Sequence, residues 1–327
     1  MTRQRVVGAV ARFGNPFHLA CMIMTLFKKC LTVALLGLLA LPSSAQFLGP
    51  GDFEYPQIEE DQRIAYGADS LQWGVLRIPE GEGPHPVVVM MHGGCWVGLH
   101  RPRHVEPLMD AVTDRGWATW SLSHRQANDN GGGWTGTFDD VGAGIDYVRE
   151  LAGHFDLDTS RVVAMGHSAG GHLALWAAGR DGYRPGDALY ATDPLQLAGA
   201  VSLGGIADLR AHVAQEVNPC GEAVLQLMDY TPDDLPERYA EASPAERLPL
   251  GTPQLFLHGR QDYVIPWQQI SAYAEVATSA GDEVRVHFFE EASHFEVIAP
   301  ASEAWSQEIG PALMDWLMAL PAVESRD

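Results

Sequence analysis

The chain has 327 residues, 46% of them hydrophobic and 19% charged, the balance of an ordinary globular protein rather than a disordered one. Its net charge is −21, and the asymmetry deepens along the chain: the first 45 residues hold Arg3, Arg5, Arg12, Lys28 and Lys29 and no acid, so the remainder sets 42 acidic side chains against 16 basic ones, a net of −26, with no lysine at all. Such a surface repels phosphate backbones and anionic lipid, which argues against nucleic acid or a membrane surface as partner.

At the N-terminus, Lys28 and Lys29 precede an almost wholly apolar run at 31–41, followed by Pro42, Ser43, Ser44 and Ala45. A basic stretch, a short apolar stretch and small residues before a cleavage point describe a secretory signal, so residues 1–45 are expected to be removed and Gln46 to lead the mature chain. The apolar run is shorter than the roughly 20 residues needed to span a bilayer, so no stable membrane insertion is expected. Cys30 precedes the run instead of ending it and makes no lipoprotein signal. Residues 1–23 fit poorly upstream of such a signal, and Met22 or Met24 is the expected start. The expected location is secreted or periplasmic.

Residues 46–327 read as one domain. An edge strand is expected at 71–79 and a fully buried one at 87–91, where a continuous apolar run ends in glycines. Further strands are expected at 118–121, 161–165, 198–203, 254–258 and 283–288, and helices at 138–154, 169–180, 267–279 and 302–320. Alternating strands and helices imply an α/β fold with a mostly parallel sheet covered on both faces. The rhythm breaks at 204–253, where short helical pieces at 221–228 and 237–242 alternate with prolines. A stretch of that length reads as a lid-like insertion after strand 198–203.

Three segments carry chemistry. Gly166-His167-Ser168-Ala169-Gly170 follows a buried strand and opens a helix, the setting in which G-x-S-x-G places a serine on a sharp turn as a nucleophile. His92-Gly93-Gly94-Cys95-Trp96 follows strand 87–91, and its small residues suit a backbone that donates N–H groups to an oxyanion. Asp262 and His294 lie just past the strands at 254–258 and 283–288, in the order Ser…Asp…His, where ligands gather in open α/β sheets. Asp208, after strand 198–203, is a rival acid. Asp139 and Asp140 suit the first turn of a helix. His172 is expected to pack, His92 to clamp its loop, and Arg125 to form an ion pair rather than bind a substrate carboxylate. Cys95 and Cys220 read more readily as two buried thiols than as a bridge, although an oxidising compartment permits one. No metal or organic cofactor is implied.

These segments, with Gly131-Gly132-Gly133-Trp134 through Asp140, Gly259 through Pro266 and Ser293 through Glu296, resemble the arylformamidase-like and feruloyl-esterase-like single-domain serine hydrolases of the α/β-hydrolase superfamily. The likeness runs from about Leu71 to Pro321. The loop at 92–96 resembles the H-G-G-G loop of lipases and esterases, with Cys95 in place of the third glycine. The resemblance implies Gly94, Cys95 and Ala169 as oxyanion donors, Cys95 on condition that its φ is negative, and Trp96, Trp134 and Phe295 as pocket lining. It implies cleavage of small carboxylic esters through an acyl-enzyme. An amidase or arylformamidase is the second expectation, a prolyl-oligopeptidase-type exopeptidase without its propeller the third, and a non-catalytic binding module the fourth. The partner in each enzymatic case is a small ester or amide.

Overall fold

Apolar runs too short for helices become the centre of one sheet. The computed structural model describes residues 47–52, 57–59, 62–98, 100–216 and 218–323, and residues 47–327 group as one compact unit. The expected export signal lies outside the described residues. The strands are β1 (Ile64–Ala65), β2 (Trp73–Arg77), β3 (His85–Met91), β4 (Ala118–Leu122), β5 (Leu157–His167), β6 (Gly199–Leu203), β7 (Gln254–Gly259) and β8 (Val284–Phe289). They form one sheet in the order β1-β2-β4-β3-β5-β6-β7-β8. The pairs β1–β2 and β2–β4 are antiparallel and all others parallel.

The helices are α1 (Glu106–Thr113), α2 (Gly136–Asp146), α3 (Val148–Ala152), α4 (Ala169–Ala178), α5 (Leu209–Val213), α6 (Gly221–Met228), α7 (Pro236–Ala242), α8 (Trp267–Ala280) and α9 (Gly310–Ala319). Successive strand residues point to opposite faces, so one apolar run feeds two cores. Val87, Val89 and Met91 join Phe138, Ile145, Leu173 and Ile270 on one face. Val88 and Met90 join Leu108, Val112, Leu313 and Leu317 on the other. All seven residues of β3 are buried, as expected for a central strand with helices on both sides.

The mostly parallel α/β sheet is the expected fold, with four local differences. The strand at 71–79 is not the edge, because the two-residue β1 pairs outside it. β5 begins earlier than 161, and its Leu157 and Asp158 pair with His85 and Pro86 ahead of a bulge between Pro86 and Val87. The helix at 138–154 is two helices meeting at Tyr147, whose ψ of −15° tightens the turn. A π-helical turn, Trp305–Ile309, leads into α9.

The insertion is packed against the domain. Tyr239 and Ala242 of α7 are fully buried. His172 Nε2 of α4 bonds the Ala242 carbonyl at 2.9 Å, and Thr252 Oγ1 donates to the Ala178 carbonyl at 3.0 Å. The chain path also sets the location of the site. From β3 the chain goes to β4 on one side and then returns to β5 on the other, so a crevice opens beyond the C-terminal ends of β3 and β5.

Candidate active site

Ser168 stands in that crevice, immediately after β5 and before α4. Its φ of 55° and ψ of −118° place it in a region that non-glycine residues seldom occupy. Its amide donates to the Leu203 carbonyl at 2.9 Å, which fixes the turn to β6. The flanking glycines are steric requirements: a Cβ at Gly166 would lie 2.1 Å from the Gly170 carbonyl oxygen, and one at Gly170 2.2 Å from that of Met91. As first residue of α4, Ala169 has an amide with no intrahelical acceptor.

The loop after β3 covers this turn. It comes close at Gly93, where a Cβ would lie 3.3 Å from Ser168 Cβ; the sequence places Gly93 in this loop but does not single it out among the oxyanion donors. His92 Nδ1 hydrogen-bonds the Gly93 carbonyl at 2.8 Å, and its ring stacks on His124 at 4.6 Å, a clamp on the loop. The condition placed on Cys95 is not met. Its φ is 51°, and Trp96 follows at 57°, two successive left-handed residues that turn the loop sharply. Nor are the cysteines separate thiols: Cys95 is bonded to Cys220, with the Cα atoms 5.3 Å apart. Cys220 directly precedes α6, so the insertion is tied covalently to the loop beside Ser168. With the two separated by 125 positions in the chain, nothing in the local sequence signals the bond.

His294 and Asp262 come together at the ends of β8 and β7. His294 Nδ1 and Asp262 Oδ2 are 2.8 Å apart. The other carboxylate oxygen accepts the Val264 and Ile265 amides at 2.8 Å each, so the acid is held from two sides. Burial pushes the Asp262 carboxyl up, but the charge and hydrogen bond of His294, then His258 and the Ile265 amide, outweigh it and hold the group below the usual carboxylate value. Gly204, at φ 51°, leaves the room beside this pair: a Cβ there would lie 3.3 Å from Asp262 Oδ2 and 3.4 Å from His294 Nδ1. The rival Asp208 is engaged elsewhere, capping α5 through the Ala211 amide at 3.0 Å. Ser168 and His294 are 3% exposed each, and the side-chain hydrogen bond of His294 is to Asp262, with none joining it to the Ser168 hydroxyl. Such bonds commonly tighten only once substrate is bound.

The remaining candidates separate by burial. Trp96 and Phe295, expected to line a pocket, are 1% and 5% exposed. The Trp96 ring packs edge-on against His172, and Phe295 packs against His104, His167 and His294, so both support the site from within the cores. Trp134 stays half-buried, its ring against Phe138 and under the Arg238 guanidinium of α7. His172 packs as expected and bonds the Ala242 carbonyl at 2.9 Å. Asp140 is a correction. It is wholly buried rather than a first-turn surface charge, and it takes Arg125 Nε at 2.9 Å, Arg125 Nη2 at 2.5 Å and Gln72 Nε2 at 2.6 Å. Arg125 is therefore engaged in a structural pair. Tyr263, 61% exposed with its ring 6.5 Å from that of His294, marks the rim of the site.

A cavity of about 580 Å³ lies near the start of β5, lined by Arg149, Ser160, Tyr183, Tyr190 and Gln196. It touches none of the groups around Ser168. Among the described residues no cluster of His, Cys, Asp or Glu is arranged to hold a metal, and no helix is long and apolar enough to cross a membrane.

Known proteins resemble this chain. The BD-FAE family matches residues 75–276. Esterase LipC of Mycobacterium tuberculosis is 27% identical over 227 residues, covering 65% of this chain and 54% of its own. The probable carboxylic ester hydrolase LipM of the same organism is 25% identical over 233 residues, covering 68% and 52%. The chain thus spans about half the length of these curated relatives. Among solved structures, Thermogutta terrifontis esterase 2 with propionate bound superposes with a TM-score of 0.65 at 21% identity, covering 85% of this chain and 99% of that one. A truncated carbohydrate esterase from gut microbiota gives 0.66 at 21% identity, covering 79% and 94%. At such identities the structural likeness speaks for the fold alone, which is the α/β-hydrolase fold, while the match across most of the domain establishes that the chain belongs to the BD-FAE family.

Proposed function

We propose that this protein is a serine hydrolase of small carboxylic esters, working through an acyl-enzyme. The reading rests on one observation above others: the 2.8 Å bond between His294 and Asp262 beside a serine held in a left-handed turn at the sheet's switch point. In this reading Ser168 Oγ attacks the ester carbonyl and His294 takes its proton through Nε2. Asp262 fixes the ring with Nδ1 protonated and stabilises the imidazolium. The Ala169 amide, with those of Gly93 and Gly94, receives the oxyanion. His294 then returns the proton to the leaving alkoxide, and water, activated by the same base, releases the acid. The esterase names of the relatives support this assignment.

The test is turnover of short aryl esters beside an N-formyl aryl amide, by wild type and Ser168→Ala. Ester turnover is expected to be highest and to fall by about 10³-fold or more in the variant. Equal rates in the two proteins would remove Ser168 as nucleophile, and preference for the formyl amide would change the substrate class. Export to an oxidising compartment belongs to the same proposal. The Cys95–Cys220 bond supports it, since such bonds persist mainly outside the cytoplasm. N-terminal sequencing of secreted material should begin at Gln46.

A further inference from the structure

The elbow residue next to the nucleophile holds a bond that the proposed chemistry does not use. His167 Nε2 lies 2.8 Å from the backbone carbonyl of His294, and His167 Nδ1 lies 3.0 Å from His104 Nε2. The two brace rings are each 1% exposed. His104 comes from the turn Pro102–Val105, which runs into α1, so three separate segments meet through two imidazoles: that turn, the nucleophile elbow and the loop carrying His294.

Hydrogen-bond logic allows one protonation pattern while both rings are neutral. A carbonyl oxygen only accepts, so His167 Nε2 carries the hydrogen. The neutral ring then offers a lone pair at Nδ1, so His104 Nε2 must donate to it. Burial keeps both rings neutral by pushing them well below the ordinary histidine value. The neighbouring His294, His100 and, for His104, His92 add to this, while the His294 carbonyl and Asp262 oppose it at His167. The Phe295 ring, 5.6 Å from His167 and 5.1 Å from His294, fills the space beside the brace.

We propose that His104 and His167 are positioning residues that set the distance between the nucleophile and the base. Ser168 follows His167 directly in the chain, and the carbonyl that His167 holds belongs to His294 itself. The bond therefore ties nucleophile to base by a path independent of Asp262, which orients the ring but not its backbone. His104 acts one step back: by donating to His167 Nδ1 it enforces the tautomer in which His167 can donate. Without that donor His167 can adopt the Nδ1–H form, and its Nε2 lone pair would face the carbonyl.

The inference rests on the serine-hydrolase reading, and the experiment separates the two. Wild type, Ser168→Ala, His104→Phe, His104→Gln and His167→Ala are compared on 4-nitrophenyl acetate, with thermal melts to establish folding. His104→Phe fills the site but cannot donate, and it should lower kcat about tenfold with KM nearly unchanged, since small misplacements of reacting groups cost rate rather than binding. His104→Gln restores a donor and should recover most of that loss. His167→Ala should lose at least as much as His104→Phe. Nitrogen-15 histidine spectra, assigned by the signals lost in His104→Phe and His167→Ala, should show both brace rings as Nε2–H tautomers that do not titrate between about pH 5 and 8. Folded His104→Phe with wild-type kcat, or an Nδ1–H tautomer at His167, overturns the brace while Ser168→Ala still loses activity. Activity unchanged in Ser168→Ala overturns the underlying reading instead.

Discussion

Asp262 and Asp208 sit on the loops after neighbouring strands, and only their hydrogen-bond partners tell them apart. Asp262 accepts from His294 and two amides, whereas Asp208 caps a five-residue helix. Substituting each by asparagine exploits the difference. At 262 an amide nitrogen can face His294 Nδ1, and the ring is driven to the tautomer that cannot accept the serine proton through Nε2. The expected loss in kcat is about 10³- to 10⁴-fold, on the scale of the same change in a well-studied serine protease. At 208 asparagine is as good a helix cap as aspartate, so activity should stay within about twofold. Steady-state kinetics of the two purified variants decide it, and a larger loss at 208 would reassign the acid. The sharp turn at Ser168 was legible in sequence because its demands are local: Gly166 and Gly170 are needed by backbone atoms a few residues away or on the adjacent loop. The aromatic lining was not legible, because Trp96 and Phe295 are turned into the cores by contacts with His172, His104 and His167 that no spacing reveals.

At the scale of elements, the central strands could be read because burial on both faces demands an unbroken apolar run, as in β3. β1 has only two residues and α1 only eight, with Pro107 at its start and Pro102 opening the turn before it, so neither leaves a periodic signal. The Cys95–Cys220 bond is the element-level feature that spacing hid. It closes a loop spanning a separation of 125 residues, from the loop over Ser168 to the residue before α6. Loop-closure entropy for that length sets a ceiling of about 5 kcal/mol on its stabilisation, and distortion or denatured-state structure would lower the yield. Cys220→Ser should therefore melt below the wild type. Reductant should bring the wild-type melt down to the same temperature and leave the variant unmoved. Identical melts for wild type with and without reductant would mean that the bond contributes nothing to the folded state.

Over the whole molecule, histidine burial governs the response to acid. His92, His104, His124, His167, His172, His212 and His258 are each at most 2% exposed, and burial pushes every one below the ordinary value: His124 to about 3, His172 and His212 to about 4. In the unfolded chain these rings titrate near pH 6.5, so below that point the unfolded state binds protons that the folded state refuses. Stability is thus fully present above about pH 6.5 and falls as pH drops toward the folded values, by about 1.4 kcal/mol per pH unit for each ring. Three rings over two units would remove about 8 kcal/mol, comparable with the whole stability of a typical domain. Relief of the −21 net charge opposes this, but carboxylates take up protons mainly near pH 4, so between about pH 6.5 and 5 the histidines act with little opposition. Asp262 works in a lower window: with its folded value depressed, its contribution is intact above about pH 3.9 and lost only as pH falls through that folded value. Urea midpoints should accordingly hold steady from about pH 8 to 7 and drop steeply from about pH 6.5 to 5. A midpoint that stays level to pH 5 would mean that the buried rings find protons in the folded state, which the two-bond brace at His104 and His167 could not survive.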